Sequence, residues 1–274
     1  MKIAIISDIH GNLEALKAVL KYIEERRIDK IYCLGDFLAR GNFQQECFDL
    51  LKDRCEVIIQ GNCDEHFAGN PDLTNQSEIE INRVKWNKTK TNPETQEFLR
   101  NLPFCHEFYM SGRLVRLVHA HPQSIGKVVA SIDNLDKLYE MFLPTENTVS
   151  QEKADILICG HTHMPYIQKL YNRYIINTGS VGNQLDVFRN KDKDGDCRNT
   201  TNASYLVLTG NLDSRSYDDS ISFELVNVPY DIDKELENNI DNPEYDALYA
   251  ELKEGQYRDM KRIEEFYQQK GIKF

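Results

Sequence analysis

Five times along this chain a short apolar, β-branched run stops abruptly in aspartate, asparagine or histidine. Lys2–Ser7 leads into Asp8-Ile9-His10, and Lys30–Leu34 into Gly35-Asp36. Glu56–Ile59 leads into Gly61-Asn62-Cys63-Asp64, Arg113–His119 ends on the first residue of His119-Ala120-His121, and Asp155–Cys159 leads into Gly160-His161-Thr162-His163. Between the first three runs, Asn12–Arg26 repeats apolar residues at helical spacing through Leu13, Leu16, Val19, Leu20 and Ile23. Gln44–Lys52 does so through Cys47, Phe48 and Leu51. Near-continuous apolar strands separated by amphipathic helices predict βαβ units and a sheet buried on both faces. In such sheets ligands bind beyond the carboxyl ends of the strands, which is where all five polar motifs fall.

The rest of the chain elaborates that core. Residues 65–104 read as mostly helical and polar, with Asn92-Pro93-Glu94 as a helix start and Leu102-Pro103 as its end. Ser111-Gly112 reads as a hairpin turn, and Tyr171-Asn172-Arg173 as a second. Residues 123–150 form an expected insertion with one helix near Asp133–Phe142. Residues 186–202 are expected to be a loop, and Ser204–Thr209 and Ser222–Val228 late strands. In the helical tail 231–274, Tyr245, Leu248, Tyr249 and Leu252 mark one apolar face, and Met260, Ile263, Phe266 and Tyr267 another. These helices are expected to pack on the body, or else to serve as a lid or a contact for a second copy of the chain. The expectation is one domain over 1–274, with a core of about 1–230.

Composition narrows the partners. The formal net charge is −11, which makes a poor non-specific binder of long nucleic acid or anionic membrane. No apolar run approaches the ~20 residues of a membrane span. Ile3–Ile6 meets Asp8 and His10 almost at once, so the first residues read as a strand and not as a secretory signal. The seven cysteines are scattered without a CxxC pair. A reduced, cytoplasmic setting is the expectation, with Cys33 and Cys159 as small core residues.

Strand ends that deliver Asp8, His10, Asp36, Asn62, His119, His161 and His163 to one edge are costly to bury unless something pairs them. Metal ions do so. Imidazole, carboxylate and amide donors without an obvious thiolate suit Mn, Fe, Zn, Co or Ni better than a structural zinc site. Seven donors exceed the coordination of one ion and suit two, roughly 3.5–4 Å apart. Five of the seven histidines fall within these motifs.

The ordered set Asp-x-His, Gly-Asp, Gly-Asn-x-Asp, His and Gly-His-x-His over residues 1–185 resembles the calcineurin-like metallophosphoesterases. The resemblance implies a four-layer α/β/β/α sandwich: two packed mixed sheets flanked by helices, with helical insertions and a helical C-terminal extension. It implies two divalent transition-metal ions, with Mn favoured. By motif position Asp8, His10 and His163 would hold the first, Asn62, His119 and His161 the second, with Asp36 bridging; His119 is preferred to His121 because it follows its strand directly. Asn177-Thr178-Gly179-Ser180-Val181-Gly182, with the helical element carrying Trp86 and Phe98–Pro103, is similar to the small bacterial phosphodiesterase branch. The implied reaction is hydrolysis of a small or nucleotide-like phosphate ester by in-line attack of a hydroxide shared between the metals.

Two features depart from the pattern common in the superfamily's phosphatases. Where many carry a leaving-group histidine stands Cys63, a poor acid near neutral pH; His121 and His66 are the alternative acids, and Asp64 is placed to orient a metal ligand. Gly35-Asp36-Phe37-Leu38-Ala39-Arg40-Gly41 resembles the arginine motif of protein phosphatases and dinucleoside-tetraphosphate hydrolases, making Arg40 the phosphate-clamp candidate. The alternatives are a phosphomonoesterase, a dinucleoside-polyphosphate hydrolase, and a non-catalytic scaffold of the same fold. Asp192, Asp194 and Asp196 read as a solvated acidic turn. Arg83, Lys85, Lys88 and Lys90 read as an exposed helix face, or a cationic rim.

Overall fold

The structure, a computed structural model, describes residues 1–131, 133–185 and 202–253. Residues 186–201 of the expected 186–202 loop, the expected acidic turn at Asp192–Asp196 and the expected apolar face of Met260, Ile263, Phe266 and Tyr267 lie outside the described residues, while Asn202 belongs to a strand.

Alternation along the first strand sets the layering. In β1 (Lys2–Ile6), Ile3 and Ile5 point one way and Ala4 and Ile6 the other, and all four are buried. Ile3 and Ile5 join Val115, Leu117, Ile156, Ile158 and Ile176 in an apolar layer between two sheets. Ala4 and Ile6 face Leu16, Val19, Leu20 and Ile23 of helix α1 (Leu13–Glu25). The Asn12 side chain caps that helix by accepting from the Ala15 N–H. Burying each such Ile or Leu contributes about 1.5–3 kcal/mol, so the period-2 pattern specifies the register strongly.

The first sheet has the order β10-β9-β1-β2-β3. Its members are β1, β2 (Lys30–Cys33), β3 (Val57–Ile58), β9 (Asn202–Thr209) and β10 (Ser222–Pro229). β1, β2 and β3 run parallel. The second sheet has the order β4-β5-β6-β8-β7, built from β4 (Cys105–Met110), β5 (Arg113–Val118), β6 (Ile156–Cys159), β7 (Tyr166–Leu170) and β8 (Arg173–Asn177). Here β5, β6 and β8 are parallel. α1 and α2 (Gln44–Lys52) cover the outer face of the first sheet through Leu16, Val19, Cys47 and Phe48. α6 (Leu135–Glu140) covers the second, where Leu138, Met141 and Phe142 pack on Val118, Leu157 and Ile175. The result is the four-layer arrangement of two mixed sheets with flanking helices.

Several local expectations are refined. Arg173 pairs within β8, so the second hairpin turn is Tyr171-Asn172, both at positive φ. Three helices occupy the 65–104 region: α3 (Asn62–Ala68), α4 (Glu78–Thr89) and α5 (Pro93–Arg100). Arg83 is no part of an exposed rim, because it is held between Glu80 and Glu244. Arg116, fully buried in β5, pairs with Glu107 and donates to the carbonyls of Phe142, Leu143 and Glu152. That ties the 123–150 insertion to the sheet and satisfies a buried charge. In the tail, α7 (Ile232–Asn238) and α8 (Tyr245–Leu252) pack together through Leu236, Leu248 and Leu252. Tyr249 leaves that face and is 38% exposed. No described helix is long and apolar enough to cross a membrane.

Candidate metal centre

The parallel strands end at one edge, and the chain turns sharply there. Asp8, His10, Asp36, His161 and His163 all have positive φ, between 52° and 65°. For non-glycine residues this left-handed backbone costs about 1–3 kcal/mol each, and such strain clusters at functional sites. Hydrogen bonds between the loops hold it in place. The Ile9 and His10 N–H groups donate to the Asp36 carbonyl, and the Val181 and Gly182 N–H groups donate to the Ser7 and Asp8 carbonyls. Gly61 stands where a Cβ would lie 2.1 Å from Asp36 Oδ1, so no other residue leaves that carboxylate in place.

The strained loops converge their side chains. His163 Nε2 is 3.2 Å from Asp8 Oδ1 and 3.2 Å from His10 Nε2. His10 Nε2 is 3.7 Å from Asp36 Oδ2, and His119 Nε2 is 3.5 Å from the same oxygen. Asn62 Oδ1 lies 3.0 Å from His119 Nε2 and 2.8 Å from His161 Nδ1. Two overlapping groups, Asp8 with His10 and His163, and Asp8 with Asp36 and His119, are compact enough to hold a cation. All seven residues expected from the strand-end motifs thus lie in one cluster, with Asp8, His10, Asp36, His119 and His163 buried and Asn62 and His161 partly exposed.

The protonation pattern favours a cation. His10, His119 and His163 each use Nδ1 toward a backbone carbonyl, of Leu38, Leu34 and Asn183 respectively. In the neutral ring those bonds place the proton on Nδ1 and leave the lone pair on Nε2. Lone pairs of His10 and His163 facing each other at 3.2 Å repel unless a cation lies between them. Asp8 Oδ1 is buried and without a hydrogen-bond partner, a state that is costly unless an ion meets it. Burial, and then the charge of Arg40, hold His10 down at about 3. Burial and His119 hold His161 at about 4. Burial would lower His119 too, but Asp36 and Asp8 push it up to about 10, so in the metal-free chain its proton stands in for a cation. Burial raises Asp8 and Asp36, yet the surrounding imidazoles hold both below the usual carboxylate range. Nitrogen and oxygen donors of this kind fit Mn, Fe, Co, Ni or Zn.

The remaining candidates separate. The Cys63 thiol shares a compact group with His10 and Asp36, and its N–H donates to Asp36 Oδ1. Burial and the Asp36 charge push that thiol well above its ordinary range, so it stays protonated. Asp64 accepts from the backbone N–H groups of Asp36, Phe37, Leu38 and Gly61, fixing the loop and not a ligand side chain. His121 is buried where the chain bridges to Ser124; its Nδ1 accepts from the Gln123 N–H and its Nε2 meets no hydrogen-bond partner. Burial and then Lys127 lower it to about 4, which leaves it neutral at physiological pH. His66 pairs with Glu80 on α4. Arg40 is no free surface residue: Nη1 is 2.7 Å from Glu251 of α8.

Several residues that support the cluster carried no signal of that role in the sequence. The Asn183 carbonyl orients His163. Ser180 Oγ donates to the Asp8 carbonyl and accepts from the Asn183 N–H. Asn87, on α4, accepts from the Ala39 N–H. A surface cleft of about 600 Å³ beneath α5, lined by Lys52, Phe98, Leu102 and Pro103 among others, takes in none of the strand-end residues.

Residues 1–209 match the family model of the calcineurin-like phosphoesterase superfamily domain. An uncharacterised protein of Methanocaldococcus jannaschii is 31% identical over 255 residues, covering 88% of this chain and 92% of that one. Among solved structures, a metallophosphoesterase from Sphaerobacter thermophilus superposes with a TM-score of 0.67 at 24% identity, over 93% of this chain and 99% of that chain. A hypothetical protein from Pyrococcus horikoshii OT3 does so with a TM-score of 0.65 at 18% identity, over 86% and 91%. Both structural likenesses speak to the fold.

Proposed function

Because the chain belongs to the calcineurin-like phosphoesterase superfamily, we propose that it is a two-metal phosphodiesterase acting on a small or nucleotide-like phosphate ester. The observation that carries the reading is the unpartnered Asp8 Oδ1 beside the facing Nε2 atoms of His10 and His163. We assign Asp8, His10 and His163 to one ion, Asn62, His119 and His161 to the other, and Asp36 to a place between them. Mn is the favoured metal. When bound, the two ions lower the pKa of a coordinated water and offset charge on the phosphate.

The chain supplies positioning and the remaining electrostatics. The Nδ1 bonds of His10, His119 and His163 fix ring orientation and keep Nε2 aimed inward. Asp64 grips the Asp36 loop so that the carboxylate needs no reorganisation during the reaction. Arg40, whose charge reaches His10 and Cys63, offers forked donors to the non-bridging phosphate oxygens. Cys63, protonated beside Asp36, is a weak acid toward a leaving oxygen. That favours esters whose leaving group departs with little protonation. A phosphoanhydride has such a leaving group, which keeps dinucleoside-polyphosphate hydrolysis as the second reading.

The test is hydrolysis of bis-p-nitrophenyl phosphate and p-nitrophenyl phosphate by metal-stripped protein reloaded with Mn²⁺. The proposal expects metal-dependent cleavage with the diester preferred. Preference for the monoester would move the assignment to a phosphatase. With two ions bound, cleavage of neither ester nor of a dinucleoside polyphosphate would leave the scaffold reading.

A further inference from the structure

The tail and the Asp36–Asn42 loop are built against each other. Asn242 Nδ2 donates to the Arg40 carbonyl at 2.6 Å, and the Asn42 N–H donates to Asn239 Oδ1 at 2.8 Å. Asn42 Nδ2 also donates to Asp241. Further along, Glu244 pairs with Arg83 of α4, so the segment is anchored to that helix as well as to the loop. The segment then delivers a second carboxylate to the loop, this one against a cation. Glu251, whose side chain is 1% exposed, lies 2.7 Å from Arg40 Nη1, while Arg40 keeps 18% of its side chain exposed. A buried carboxylate fixed on a helix is unlike a mobile surface pair: removing one partner leaves the other charge without its counterpart in a place water barely reaches.

That arrangement has a consequence for charge. Arg40 and Ala39 sit side by side at positive φ, 69° and 73°, in the loop that begins with Asp36. Hydrogen bonds join this loop to His10 on both sides of Arg40: His10 Nδ1 meets the Leu38 carbonyl at 2.8 Å, and the Gly41 N–H donates to the His10 carbonyl at 2.9 Å. A phosphate monoester carries about two negative charges near pH 8 because its second pKa is about 6, whereas a diester carries one. An unpaired arginine beside two cations favours the dianion. An arginine already matched by a carboxylate does not.

We propose that Glu251 sets the charge selectivity of this site: by holding Arg40 in a buried ion pair it leaves the cleft one positive charge short for a dianionic monoester and so biases it toward monoanionic diesters. Glu251 is therefore a specificity-determining residue contributed by the tail. It touches Arg40 and not the reacting atoms. The inference rests on the phosphodiesterase reading, and deepens it.

The experiment compares wild type with Glu251→Gln, Glu251→Met and Glu251→Asp, all loaded with Mn²⁺ and checked by thermal melting. It reads kcat/KM for bis-p-nitrophenyl phosphate and p-nitrophenyl phosphate, and the affinity for inorganic phosphate by calorimetry at pH 8. Neutralising the carboxylate is expected to raise the monoester-to-diester ratio about tenfold and to tighten phosphate binding by a similar factor. Glu251→Asp, which keeps the charge, stays near wild type in both. A structural role for Glu251 would change the two esters in proportion in all three variants, and that result overturns the proposal. So does a ratio shifted as far by Asp as by Gln. If no form cleaves either ester but Gln and Met still tighten phosphate binding, the charge selectivity stands and the phosphodiesterase reading falls.

Discussion

Gly61→Ala isolates the steric demand of the metal centre. The backbone at Gly61, φ −99° and ψ 164°, is open to any residue, so alanine introduces no conformational strain. It introduces one methyl group. That group would sit 2.1 Å from Asp36 Oδ1 and 2.3 Å from the Asp36 nitrogen. Carbon and oxygen need a separation above 3 Å, so the carboxylate must retreat by about 1 Å or the loop must move. The loop is gripped by three N–H bonds to Asp64, yet the overlap with the Asp36 nitrogen cannot be relieved by the side chain alone, so loop and carboxylate must shift together against that grip. Overpacking of this kind costs about 1–3 kcal/mol of stability. A displacement of about 1 Å at a reacting centre costs on the order of a hundredfold in rate. Gly126→Ala is the internal control, because a Cβ there meets nothing within 4 Å. Calorimetric Mn²⁺ titration, thermal melting and diester hydrolysis are read on both variants. Gly61→Ala is expected to lose metal affinity and at least a hundredfold in kcat/KM, and Gly126→Ala to match wild type. Wild-type metal affinity and turnover in Gly61→Ala would refute the placement of Asp36.

Three further outcomes follow from individual contacts. His119, near 10 in the metal-free chain, must give up its proton to a metal, so Mn²⁺ uptake at pH 7 to 8 is expected to release about one proton through this residue. Binding enthalpies measured in buffers of different ionisation heat check this; no buffer dependence would contradict it. Ser180→Ala removes both bonds that join the Asp8 carbonyl to Asn183. It should cost about 1–3 kcal/mol in denaturant unfolding and weaken metal binding roughly tenfold; a midpoint equal to wild type would remove Ser180 from the support. Glu235, pushed up by burial from its ordinary 4.5 to about 7, binds its proton more tightly folded than unfolded. Its contribution is full below about pH 4.5 and is lost as pH rises through 7, amounting to at most about 3 kcal/mol. Glu235→Gln should flatten the stability profile across that window, and parallel profiles would count against the assignment.

The parts of this fold that repeat locally were legible. Period-2 runs and helical spacing located β1, α1 and α2 because burial on a fixed face leaves a pattern within a few residues. The strand-end motifs were legible for a different reason: burying Asp8, Asp36 and four imidazoles together has few physical justifications. What escaped depends on partners far apart in sequence. Glu251 is 211 residues from Arg40, and no local pattern announces a buried carboxylate on a helix that otherwise reads as aromatic and apolar. Asn183 acts through its carbonyl, which every residue has. Asp64 was expected to orient a side chain, but a carboxylate meeting four N–H groups serves the backbone. His121 follows His119 at strand spacing and would share its face if β5 continued; β5 ends at Val118 and the chain folds back at Ser124.

The central claim is that two ions act together at this edge. Metal-stripped protein can be titrated with Mn²⁺ while bound metal and bis-p-nitrophenyl phosphate hydrolysis are followed in the same sample. Little turnover is expected at one equivalent and a steep rise as the second binds, with Asp36→Asn abolishing the rise. Full activity at a single equivalent, or undiminished activity in Asp36→Asn, would contradict it.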